Sequence, residues 1–117
     1  MHEFGIADDV LVAAEVEAGR VGGGTLSVIG IRLGTGSGID PDALLMSFDA
    51  LVAHRHLGPL SLEIETVSQR RRCICGEVFE VSGLIAVCPV CGAFDSTVLG
   101  GAALDIAFLE FSDKPSP

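Results

Sequence analysis

The spacing of hydrophobic positions changes several times along the chain, and each change predicts an element. From Phe4 to Gly19, Ile6, Val10 and Ala14 recur every four residues, with Leu11 and Ala13 broadening the stripe, which predicts a first helix. Asp8 and Asp9 near its start suit the positive end of the helix dipole, and Gly19 with Gly22, Gly23 and Gly24 ends it. Residues 26–33, LSVIGIRL, have the β-branched content of a strand in which Gly30 marks a bulge or a close approach. GTGSG at 34–38 reads as a loop without the Lys-Ser/Thr pair that a phosphate loop requires. Asp40 is placed to N-cap a second helix, with Pro41 at its first position and Leu44, Leu45, Phe48, Leu51 and Val52 on its apolar face to about Arg55. Beyond Gly58 and Pro59, residues 60–67 alternate, Leu60, Leu62 and Ile64 one way and Ser61, Glu63 and Glu65 the other. Residues 78–81 and 84–87 read as two short strands of a hairpin. Leu104 to Phe111 alternates again as a last strand, and the polar end SDKPSP is expected to fray.

This order predicts an α+β fold: two helices packed on one face of a three-stranded mixed sheet, with a cysteine-bearing ribbon inserted between the second and third strands. The expected division is 1–68 plus 100–117 for the α/β domain and 69–99 for the ribbon. With six Phe and neither Trp nor Tyr, the core must come from Val, Ile, Leu and Ala. Such a core is modest for 117 residues, and a metal cross-link would supplement it.

The formal charge of -9 argues against a phosphate backbone as partner and permits cations and basic proteins. Arg70, Arg71 and Arg72 are an exception, read either as the electrostatic complement of a thiolate centre or as a solvated loop. No run of about 18 apolar residues suggests a membrane span, and MHEFGIADD lacks the form of a signal peptide, so a cytoplasmic location is expected.

All four cysteines lie between Arg72 and Gly92. Cys88-Pro89-Val90-Cys91-Gly92 is a metal knuckle, and Cys73 and Cys75 supply a second pair, spaced C-x-C. Two close pairs at this separation suit one tetrahedral zinc held between two hairpin tips, with redox switching or another metal as the alternatives. Such a site has no open position for catalysis. His54 and His56 fall at a helix end, where a cation is welcome and joint metal binding is not needed to explain them. His2 differs by its address: the Met1 amine, the backbone nitrogen of residue 2 and the imidazole can close small chelate rings around nickel(II) or copper(II), and Glu3 could complete the set. From spacing alone, a loose chain end is the default explanation of the same three residues.

With Met1-His2-Glu3, the stretch VIGIRLGTGSGIDPDALLMSFD, the LSLEIE strand, CPVCG and the Gly-Gly-x-x-Leu closing strand in register, the chain resembles the HypA family of hydrogenase and urease nickel-incorporation proteins almost end to end. The resemblance implies a nickel metallochaperone with a nickel domain and a separate zinc domain, and no enzymatic turnover. Nickel would map onto His2, with the Met1 amine and Glu3 beside it, and zinc onto Cys73, Cys75, Cys88 and Cys91. Asp40 falls where a carboxylate approaches nickel in some members, although capping already explains it. The implied partners are the GTPase HypB, the hydrogenase large-subunit precursor and, in some bacteria, urease accessory proteins. Two positions depart from the family pattern: Gly5 stands where Ser is usual, and the expected first cysteine falls on Arg72, so Cys73 must serve through a loop one residue shorter. The readings carried forward are nickel delivery, a zinc-ribbon protein-interaction adaptor without physiological nickel, and a redox pair at Cys73 and Cys75.

Overall fold

A computed structural model describes residues 2–22, 24–81 and 85–112. The chain divides into two compact units, one of Met1–Arg32, Ile39–Glu65 and Asp105–Pro117, the other of Leu33–Gly38 and Thr66–Leu104.

The first unit begins with α1, His2–Val21, which is longer at both ends than the apolar stripe alone indicates. Its buried positions are Ala7, Val10, Leu11 and Ala14, whereas Ala13 faces solvent. The strand β1, Thr25–Gly34, follows, then a single 3-10 turn at Thr35–Ser37 and the helix α2, Pro41–His54. Asp40 caps α2 as its position demands, its carboxylate accepting the Asp42 N–H at 3.0 Å. Leu44, Phe48 and Leu51 are the buried residues of α2, and Arg55, just past its end, reaches back to Asp8 of α1 at 2.8 Å. The strand β2, Ser61–Val67, is entered through a turn with a cis Gly58–Pro59 peptide.

The last strand of the chain, Leu104–Ser112, pairs with β1, and β1 with β2, so that β1 is central. Ser27 Oγ donates to the Glu110 carbonyl and Gly30 lies beside Phe108, so position rises along β1 as it falls along its neighbour, and the two strands run antiparallel. The strand β2 returns through α2 on the other side, which gives the mixed three-stranded sheet expected from the sequence. Ile29 and Ile31 alternate toward the buried side, and with Leu62 and the helix residues above they make up the buried apolar set of the first unit, Phe48 the largest among them. Gly30 marks close packing, since the Phe108 ring occupies the space a β-carbon would take.

The second unit is a separate sheet of three short strands, β3 (Arg70–Cys73), β4 (Val78–Glu80) and β5 (Ser96–Gly100); the Leu104–Ser112 strand is β6. In it β3 is central and antiparallel to both neighbours. This differs from the expected ribbon in two respects. The three arginines form a strand rather than a loop, and the partner of β4 is β3, not residues 84–87. Leu84 lies outside the described residues, and residues 85–87 carry no strand, because β3 already fills the inner edge of β4 and the following chain must turn into the second cysteine pair. Of the polar end expected to fray, Ser112 instead closes the strand Leu104–Ser112, and residues 113–117 lie outside those described.

In the Gly-rich loop before α2, two backbone amides are already engaged. Gly34 N–H donates to the Ala103 carbonyl and Gly36 N–H to that of Gly101, while Thr35 Oγ1 accepts the Gln69 N–H at 2.8 Å. The Gly34 and Gly36 amides are therefore taken from any anion. The second unit holds three arginines against Glu77, Glu80 and Asp95, so the formal charge of -9 resides in the first.

Candidate metal centre

The core of the second unit is small: Cys73, Phe79 and Cys88, with Val81 and Ala93 packed against them. Two of its three buried side chains are thiols. Each cysteine pair sits on a tight turn closed by backbone hydrogen bonds. At the first, Gly76 N–H donates to the Cys73 carbonyl at 2.9 Å, a four-residue turn whose close puts Gly76 at a φ of 98°. At the second, Gly92 N–H donates to the Cys88 carbonyl at 2.9 Å, one residue further round, and Gly92 has a φ of 76°. The C-x-C spacing is therefore accommodated by a turn one residue shorter, and Cys73 and Cys75 both still reach the centre.

All four thiols lie within 4.8 Å of one another. The nearest cross-pair distances are 3.4 Å for Cys73 to Cys91 and 3.7 Å for Cys75 to Cys88. Four sulfurs about 2.3 Å from a central tetrahedral ion would stand roughly 3.8 Å apart, so the donor set fits a tetrathiolate metal. Cys73 and Cys88, the first of each pair, are buried, whereas Cys75 and Cys91 face solvent. The Val90 N–H donates to Cys88 Sγ at 3.4 Å.

The thiols of the metal-free cluster are unequal. Cys88 is brought down to about 7, first by the Cys91 backbone N–H and then by that of Val90 and the Cys73 and Cys75 thiols, which together outweigh burial. The Cys75 backbone N–H pulls Cys73 down, but burial and the thiols of Cys91, Cys75 and Cys88 carry it up to about 12. Cys75 is also raised: the Glu77 backbone N–H and the Cys73 thiol lower it, and burial with Cys88 and Cys91 overcomes them. Neutral thiols crowded this closely share protons, and a divalent ion would displace them together.

Of Arg70, Arg71 and Arg72, it is Arg71 whose guanidinium is tied down among the described residues. Its Nε donates to Ser96 Oγ at 2.6 Å and its Nη2 to the Ser96 carbonyl at 2.8 Å, joining β3 to β5. This is a structural clamp, neither of the two roles read from the sequence. The strand β5 was not expected; the β-branched Thr97 and Val98 were its available signal.

At the other end of the chain, His2 is the first residue of α1, and its side chain and all of Met1 lie outside the described residues. Glu3 is half-buried in the first turn. The first amides of a helix have no intrahelical acceptor, so the nitrogens of His2 and Glu3 can be recruited without breaking a helical bond. Asp40 is exposed at the N-cap of α2. The four cysteines are the one cluster of potential metal-binding side chains among the described residues.

A tetrathiolate clasp on a small ribbon, carried by a separate two-helix α/β unit, defines a metal-binding protein of zinc-ribbon type. The family model for hydrogenase/urease nickel incorporation, metallochaperone, hypA matches residues 1–111. The hydrogenase maturation factor HypA of Roseiflexus sp. (strain RS-1) is 36% identical over 97% of this chain and 94% of its own. That of Geobacter metallireducens is 35% identical over 94% and 98%. The solution structure of the Ni metallochaperone HypA from Helicobacter pylori has the same fold, with a TM-score of 0.67 at 18% identity over 93% of this chain and 96% of that one. The chain belongs to the HypA family of hydrogenase maturation factors, whose members are metallochaperones and not enzymes.

Proposed function

We propose that this protein binds nickel(II) at its N-terminus and hands it on during maturation of a [NiFe]-hydrogenase. The observation that carries the reading is the family match running from residue 1, so that Met1, His2 and Glu3 fall within it. The Met1 amine, the amide nitrogens of His2 and Glu3 and the His2 imidazole would form a planar nitrogen set, with Glu3 or Asp40 as a carboxylate held nearby. The positive end of α1 opposes a cation by roughly 0.3–1 kcal/mol, a small term against coordination, and it favours loss of the amide protons.

Zinc is the ion we assign to Cys73, Cys75, Cys88 and Cys91, where it would cross-link a unit with a small apolar core of its own. The domain assignment follows: residues 1–68 plus 100–117 carry nickel and 69–99 carry zinc. HypB-type GTPases and the hydrogenase large-subunit precursor are the partners this reading requires, with urease accessory proteins where that enzyme is served. The four free thiols suit a reducing, cytoplasmic setting. The zinc-ribbon adaptor remains the contrasting case, and calorimetry on metal-stripped protein separates the two.

With an untagged N-terminus, nickel affinity should fall at least about tenfold, or 1.4 kcal/mol, on His2→Ala and on placing residues before Met1. Nickel should also leave near pH 5, as protons compete for the amine and imidazole. Full binding after both changes would overturn the N-terminal site, and a single thiolate zinc site without nickel would favour the adaptor.

A further inference from the structure

The first unit's sheet buries one face and leaves the other open. Ile29 and Ile31 point to the buried side, so alternation sends Val28, Gly30 and Arg32 to the opposite one. On that face a cleft of about 260 Å³ crosses all three strands, lined by Arg32 of β1, Glu63 and Glu65 of β2 and Phe108 of β6, with Ile31, Ile64 and Ala107 at its floor.

Its features are those of a receptor for a positively charged side chain. Glu63 and Glu65 are two residues apart on a strand and share a face, so each raises the negative potential at the other. Among the described residues neither makes an ion pair or side-chain hydrogen bond. Phe108 lies over Gly30 yet remains 41% exposed, which leaves a ring surface open. A guanidinium or ammonium entering here would meet an aromatic ring on one side and two carboxylates on the other. Arg32 also lines the cleft and makes no ion pair with either glutamate, so the carboxylates remain available while its own charge subtracts from the attraction.

Charge selects the occupant. The unit that holds the cleft carries the entire -9, so a second copy would bring like charge against like. We propose that this face docks a basic segment of a partner protein, with one arginine or lysine side chain seated between Phe108 and the pair Glu63 and Glu65. The strand pads of Val28 and Ile106 beside the cleft would take the apolar neighbours of that residue.

The chemistry can be tested with N-acetyl-arginine amide as probe, titrated into zinc-loaded protein and followed by NMR, with N-acetyl-norleucine amide as the uncharged control. Amide shifts should concentrate at Gly30, Arg32, Glu63, Glu65 and Phe108 for the arginine probe alone. Affinity should fall about tenfold in Glu63→Gln/Glu65→Gln, rise about twofold to fivefold in Arg32→Gln, and weaken with salt. The glutamines keep size and polarity, so the double variant keeps the test clear of misfolding. Shifts elsewhere, equal response to the uncharged probe, or unchanged affinity in the double variant would overturn the proposal. A change of oligomeric state in the double variant, read by sedimentation, would assign the face to a second copy instead. None of these residues belongs to the N-terminal motif, so nickel affinity of the same samples reports separately on the metallochaperone reading.

Discussion

Arg71 holds Ser96 at two points, Nε on the hydroxyl at 2.6 Å and Nη2 on the carbonyl at 2.8 Å, and thereby fastens β5 to β3 across a register that slips between Arg70 and Arg71. A bulged pairing supplies fewer regular ladder bonds, and the guanidinium compensates by supplying two fixed ones. Ser96→Ala removes only the hydroxyl and should cost about 1 kcal/mol, whereas Arg71→Met removes both bonds and should cost about 1.5–3 kcal/mol. Denaturant titration of zinc-loaded protein, read on amide signals of β3 and β5, measures both. Equal midpoints for Arg71→Met and the parent would show the clamp to be idle.

Two glycines are expected to tolerate alanine very differently. At Gly30 the atoms nearest the added methyl are all of the Phe108 ring, which is partly exposed and can swing outward, so Gly30→Ala should cost about 1 kcal/mol. At Gly101 the φ is 75° and the methyl meets the Ser68 carbonyl and Gln69 backbone, which cannot yield without moving the chain. Gly101→Ala combines backbone strain with overpacking and should cost about 3 kcal/mol or more. Comparable thermal midpoints for the two variants would contradict this.

The metal-free second unit should be most stable near pH 9. Cys88 is lowered from 9.0 to about 7 in the folded state, so between those values the unfolded chain binds more protons and stability rises with pH. Cys73 is raised from 9.0 to about 12, and Cys75 is raised with it, so above 9 the folded state holds more protons and stability declines. Lowering the pH through 7 removes the Cys88 contribution. Without Trp or Tyr in the chain, ultraviolet thiolate absorbance reads the titration directly. A monotonic stability profile across this range would rule out the split.

Chelation should act on one unit only. Among the described residues the core cluster around the cysteines is only Cys73, Phe79 and Cys88, which leaves the second unit marginally stable without a metal. The first unit has its own buried apolar set, Phe48 the largest among them. After metal removal, amides of β3, β4 and β5 should lose most of their protection from solvent exchange while those of α1 and α2 keep theirs. Uniform loss across both sets would mean that the units do not fold independently.

Much of the first unit was legible because its signals are local. Asp40-Pro41-Asp42 specifies a helix start by itself, and the alternation through Leu62 and Ile64 assigns a strand face without reference to any partner. The second unit was harder to read for a physical reason. Its strands are three to five residues long, too short for periodicity to separate strand from loop, and β3 is made largely of arginines whose pairing is decided by Phe79, Ser96 and the cysteine turns. The knuckle spacing identified the ligands, but Cys73 and Cys75 looked one residue too close until the shorter turn at Gly76 accounted for them. The N-terminal motif carries a weaker signal, the position of His2 next to the chain's amine, and the family match covers it along with the rest of the chain.

The uneven division of charge also bears on kinetics. A unit holding the whole -9 surrounds itself with a negative potential that gathers divalent cations and speeds their arrival from dilute solution, whatever the ligands then do. Raising ionic strength should therefore slow nickel capture in stopped-flow measurements while leaving the rate of release, which bonded atoms govern, nearly constant. On this view the acidic surface sets how soon a scarce ion is caught, and the ligand set determines how long it is kept.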